Sequence, residues 1–140
     1  DITDKGGHTQ FGISEASNPE AWKDGHITPE EARAIYQKKY IDWPKFNLIQ
    51  FEPLRTQLID FGVTSGPAVA IRKLQEILKV KVDGVIGGET LVMISRVDQP
   101  VLNNQLVISR VKMICKVVQN NPLQIKFLSG WVNRAFEFTI

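Results

Sequence analysis

The chain has 140 residues, 43% of them apolar, which fits one compact domain with one core. Its formal charge of +2 is too small to point to nucleic acid and is compatible with an anionic polymer as partner. A single cysteine and two histidines exclude an intrachain disulfide and leave no prospect of a zinc site, and no stretch approaches the roughly 20 apolar residues of a membrane span.

Residues 1–26 are punctuated by Gly6, Gly7, Gly12, Pro19 and Gly25, too often for a long helix. A loop or a short hairpin is expected there, with a short helical piece from Ser14 toward Ser17. The chain begins without Met and without a signal peptide, as a processed chain or a fragment of a longer one does.

Thr28 with Glu31 forms a capping box, and Pro29 stands at the favoured first helical position. This predicts a helix that ends near Asp42, before Trp43 and Pro44, with Ala32, Ile35, Tyr36, Tyr40 and Ile41 on one stripe. A second helix is expected from about Pro53 to Thr64, with Leu54, Leu58 and Phe61 inward. Ser65-Gly66-Pro67 breaks it, and a third runs from Pro67 to Leu78 with Ala70, Leu74, Ile77 and Leu78 on one face. VDGVIGGET is a turn-rich link into a fourth helix, from about Glu89 to Val97. A long apolar helix is expected from roughly Asn103 to Gln119, stopped by Asn120-Asn121-Pro122. A last helix covers about Leu123 to Phe136. The fold class is therefore mainly α, with a short N-terminal hairpin or loop.

Several residues invite a chemical reading. VDGVIGGET lacks the Gly-Lys-Ser/Thr ending of a phosphate loop, and Glu89 would repel phosphate, so a structural turn is the better reading. Cys115 lies among Val111, Ile114, Val117 and Val118 and is read as a small buried hydrophobe rather than a nucleophile. Asp60, between Ile59 and Phe61, is either a functional carboxylate or a solvated or capping one, with the second group favoured. Trp131, Asn133 and Arg134 stand close together, a grouping that suits sugar rings through stacking and amide hydrogen bonds. The competing expectation places Trp131 in the core and Arg134 in a structural ion pair, and it is favoured for Trp131. Gly6-Gly7 permits close approach of backbone to a ligand, beside polar His8, Thr9 and Gln10 and apolar Phe11.

DKGGHTQFGIS resembles the Asp-x-Gly-Gly-x-Thr-x-x-Gly-Ile stretch of the phage-type N-acetylmuramidases, glycoside hydrolase family 108. TPEEARAIYQKKYIDW is similar to the helix that follows it there. LIDFGVTSGPAVAIRKLQEILKVKVDGVIGGETL resembles that family's predicted peptidoglycan-binding region, and FLSGWVNRA its C-terminal signature. The likeness runs in order through nearly the whole chain.

The resemblance implies a lysozyme-like helical domain over residues 1–140, with a catalytic-type half (1–66) and a peptidoglycan-binding-type helical half (67–140). The implied partner is the glycan strand of peptidoglycan, cleaved between N-acetylmuramic acid and N-acetylglucosamine, with no cofactor, metal, nucleic acid or membrane span. Action at the cell wall, periplasmic or extracellular, follows from that activity. The family's general-acid Glu, in a Glu-Gly-Gly-Tyr stretch, is expected upstream of this chain. By similarity, Asp4 and Thr9 are the second and third catalytic members, although their spacing is one residue shorter than is usual in phage lysozymes. Gly7, His8, Phe11, Asp60 and Asn133 are the expected substrate-binding residues. The chain departs from the family pattern at Thr64, where Asn is common, at Met113 and Ile114, where aromatics are common, and at Gly88, where Pro often stands. An alternative is a non-catalytic peptidoglycan-binding or secretion-associated protein on the same scaffold.

Overall fold

In a computed structural model of the chain, residues 8–140 are described, and Asp4 and Gly7 lie outside them. The described residues include, near their start, a two-stranded antiparallel hairpin, β1 (Thr9–Gln10) and β2 (Ile13–Ser14), with Thr9 opposite Ser14 and Gln10 opposite Ile13. Phe11 and Gly12 make its turn, both at positive φ (53° and 73°). Positive φ at both central residues is the turn geometry that matches the twist of paired strands. The expected piece from Ser14 toward Ser17 is a turn, closed by the Asn18 amide donating to the Ser14 carbonyl.

The chain divides into two compact units, Asp1–Lys39 and Tyr40–Ile140. The described part of the first holds the hairpin and helix α1 (Pro29–Gln37). Both hydrogen bonds of the capping box form: the Glu31 amide donates to Thr28 Oγ1 and the Thr28 amide to Glu31 Oε1. Ile13, Trp22, Ile27 and Ala32 build a small core, with Ile35 and Tyr36 packed against it. The helix widens into a π-helical turn over Lys38–Asp42, where its predicted end lies.

The second unit contains helices α2 (Glu52–Ser65), α3 (Pro67–Leu78), α4 (Gly88–Arg96), α5 (Gln99–Asn120) and α6 (Ile125–Phe136). Gly66 at φ 96° ends α2, and Pro67 starts α3 at once. Leu54, Leu58, Phe61, Ala70 and Leu74 are fully buried, as their periodicity predicts. Burial of each large side chain contributes about 1.5–3 kcal/mol. Helix α5 packs against α2, α3 and α6. It begins four residues earlier than its apolar run suggests, because the Asp98 carboxylate caps it by accepting from the Val101 amide (3.0 Å).

Two buried amides tie this unit together. Gln57 Nε2 of α2 donates to both the backbone and side-chain oxygens of Asn103, and Asn103 Nδ2 donates to the Phe138 carbonyl (2.8 Å). The VDGVIGGET link is organised by Gln75, 1% exposed on α3. Its Nε2 faces three acceptors (Asp83 Oδ1, the Val85 carbonyl and Thr90 Oγ1), and its Oε1 accepts from the Asp83 and Gly84 amides. The glycine-rich link is thus a structural turn leading into α4. Among the described residues no helix is long and apolar enough to cross a membrane.

Candidate functional site

The hairpin presents three of the expected site residues. His8 is exposed and stacks on Trp22, with ring centroids 5.9 Å apart, and its carbonyl accepts from the Glu15 amide (2.9 Å). Thr9 is half-buried on β1. Phe11 is 51% exposed at the tip of the turn. The turn is anchored from behind: Tyr36 Oη donates to the Phe11 carbonyl, and Gln10 Oε1 accepts from the Ile27 amide (2.7 Å). Gly12 stands so close to Tyr36 Oη that a Cβ there would lie 2.7 Å from it. A short polar edge is therefore carried by a turn fixed at two points.

The second unit carries a cavity of about 240 Å³ between α2, α5 and α6. Phe61, Thr64 and Ser65 of α2 form one wall. Arg110, Met113, Ile114 and Val117 of α5 form another, and Trp131 and Arg134 of α6 close it. Thr64, Met113 and Ile114, three of the four positions that differ from the pattern the sequence resembles, line this cavity.

Asp60 anchors the two arginines. Its Oδ2 accepts from Arg110 Nη2 at 2.7 Å, and its Oδ1 accepts from Arg134 Nε and Nη2 at 3.0 and 2.7 Å. Arg110 is 3% exposed and lies over the rings of Phe61 (4.8 Å) and Phe138 (5.4 Å). Among the described residues, one of its terminal nitrogens, Nη1, is buried without a hydrogen-bond partner. The hydrogen bond to Asp60 raises the Arg134 pKa above its ordinary value, against the opposing effect of burial. Asp60 is thus a partly buried anchor that holds two cations, and Asn133 is exposed one residue before Arg134.

Two expectations are corrected. Trp131 is not a core residue: it is 36% exposed, stacks on Phe127 at 5.5 Å and lines the cavity. Cys115 is exposed. The inward stripe of α5 runs through Leu106, Val107, Arg110 and Val118, and Cys115 lies about 140° around the helix from Arg110. The apolar run around it is wider than the buried face. Arg110 was missed as a site residue, although a lone cation within that apolar stripe was the available signal. Among the described residues no group of His, Cys, Asp and Glu side chains is placed to hold a metal ion.

Comparisons with known proteins divide the chain in sequence order. Residues 1–66 match the family model for glycosyl hydrolase 108. Residues 69–136 match the model described as a predicted peptidoglycan domain. No curated protein matches the chain. Among solved structures, it is similar to SagA of Brucella abortus, with a TM-score of 0.75 and 26% identity over 99% of this chain and 80% of that one. The resemblance carried by the four motifs is upheld: the first half of the chain is similar to glycosyl hydrolase 108 and the second half to a predicted peptidoglycan domain.

Proposed function

We propose that this peptidoglycan-related, lysozyme-like chain serves an N-acetylmuramidase, which cleaves the glycan backbone between N-acetylmuramic acid and N-acetylglucosamine. The observation that carries the proposal is the ordered pair of matches, glycosyl hydrolase 108 followed by a peptidoglycan domain. Cleavage of a glycosidic bond needs a proton for the leaving oxygen and stabilisation of an oxocarbenium-like transition state. In this reading a general-acid Glu outside these 140 residues gives the proton. Asp4 orients the attacking water or stabilises positive charge, and Thr9 holds the water through its hydroxyl. Gly7, His8 and Phe11 line the glycan path, and Asn133 hydrogen-bonds sugar hydroxyls. Action at the cell wall, in the periplasm or outside the cell, follows from that substrate.

The test is release of reducing ends from purified peptidoglycan by the full-length protein. Thr9→Ala should slow turnover by on the order of 10²-fold, the scale of a misplaced reactant, with no comparable loss of stability. Unchanged turnover removes Thr9 from the site. A second reading, peptidoglycan binding without cleavage, is favoured by the cavity, whose lining among the described residues contains no carboxylate to serve as an acid or base. Retention on insoluble peptidoglycan without any reducing ends would select it.

A further inference from the structure

The wall of the α2/α5/α6 cavity is chemically one-sided. Among the described residues its lining includes two guanidinium groups, Arg110 and Arg134, and no Asp or Glu. Asp60 holds both cations but is not among the lining residues, and its two oxygens already accept three hydrogen bonds. Glu137 is close enough to help raise the Arg134 pKa, and it too is absent from the lining. One anchoring carboxylate thus serves the two arginines of this wall. A wall rich in donors selects a ligand rich in acceptors. A neutral sugar ring offers mainly hydroxyls, which are best met by carboxylates and amides. A carboxylate meets guanidinium groups directly and with matched geometry.

Size and the remaining walls narrow the ligand further. At about 240 Å³ the cavity is smaller than the roughly 300–1,000 Å³ of sites that enclose drug-sized molecules, so it takes an end group and not a strand. Phe61, Met113, Ile114 and Val117 offer apolar surface for small side chains. We infer that this cavity binds the carboxylate end of a short peptide with small apolar side chains, of the kind borne by peptidoglycan. The inference rests on the peptidoglycan reading above, and it assigns this cavity to the peptide rather than the glycan part of that polymer.

Calorimetric titration of the chain with N-acetyl-D-alanyl-D-alanine tests it, alongside the C-terminal amide of the same peptide, N-acetylmuramic acid and chitotetraose. The free acid should bind at least tenfold more tightly than the amide. Arg134→Gln, at a half-exposed position, should weaken the acid at least tenfold. Val117→Trp, which fills the cavity from its rim, should abolish binding while the circular dichroism spectrum stays unchanged. Equal binding of acid and amide, no binding of the acid, or parent-like binding by both variants overturns the inference. Binding of chitotetraose in place of the peptide also overturns it, because the site then reads the sugar ring, and so does binding of N-acetylmuramic acid in place of the peptide, because the site then reads that sugar's lactyl carboxylate. Retention on whole peptidoglycan, measured separately, tests the broader reading. If retention persists while the acid fails, only the inference falls; if retention and reducing-end release are both lost, the broader reading falls too.

Discussion

Asp60 and Arg110 stand 50 positions apart and meet at 2.7 Å, with 15% and 4% of their side chains exposed. Removing one partner of such a buried pair leaves the other charge uncompensated. Asp60→Ala should therefore cost about 3–5 kcal/mol in urea unfolding. A double Asp60→Leu/Arg110→Met variant should recover most of that loss, because apolar replacements of a buried pair are often neutral or stabilising. A double variant no more stable than Asp60→Ala would show that the pair holds the helices in place by geometry rather than by balanced charge.

Gln75 is the hub of the link between α3 and α4. Gln75→Ala removes its contacts to Asp83, Gly84, Val85 and Thr90 and should cost about 2–5 kcal/mol. Gln75→Glu should be worse, since it replaces the amide donor with an acceptor facing Asp83 Oδ1 and the Val85 carbonyl. Thermal melts of the two variants order them. Equal melting would mean that the link reorganises around either side chain.

The same contact sets a pH dependence. The Gln75 hydrogen bond, reinforced by the Val85 amide, holds the Asp83 pKa below its ordinary value of 3.8. A lowered folded-state pKa gives stabilisation that is fully present above the unfolded value and is lost as pH falls through the folded one. The stability gap between the parent chain and Asp83→Asn should be constant above about pH 5 and shrink below about pH 4. A gap that does not change with pH would assign the contribution to hydrogen-bond geometry alone.

The helices were legible where punctuation and periodicity agree. Pro53, Gly66 and Pro67 bound α2 and α3 to within a residue or two, because proline and glycine act locally. The start of α5 was misplaced because its cap, Asp98, stands before the apolar pattern begins. The cavity was only half legible. Trp131, Asn133 and Arg134 drew notice as a group, but Asp60 meets Arg134 across 74 positions, and no local pattern encodes that pairing. Exposure of Cys115 and Trp131 was misjudged for a related reason: hydrophobicity marks which side chains are suited to burial, and packing partners decide which are buried.

The hairpin turn supplies a fourth prediction. Phe11 at φ 53° occupies a backbone region where Asn is much better suited. Phe11→Asn should stabilise the chain by about 1 kcal/mol. If the exposed ring lines the glycan path, the same variant should raise KM on peptidoglycan while melting at a higher temperature. Higher stability with unchanged KM would leave the ring no part in substrate contact.

Exposure of Cys115 has a practical consequence. It is the sole thiol in the chain, and it stands on α5 between Ile114 and Val117, two of the residues that line the cavity. A fluorophore or spin label attached there would report on that helix at a single defined position without any engineered cysteine. Occupancy of the pocket can then be followed as a spectroscopic signal in the otherwise unaltered protein.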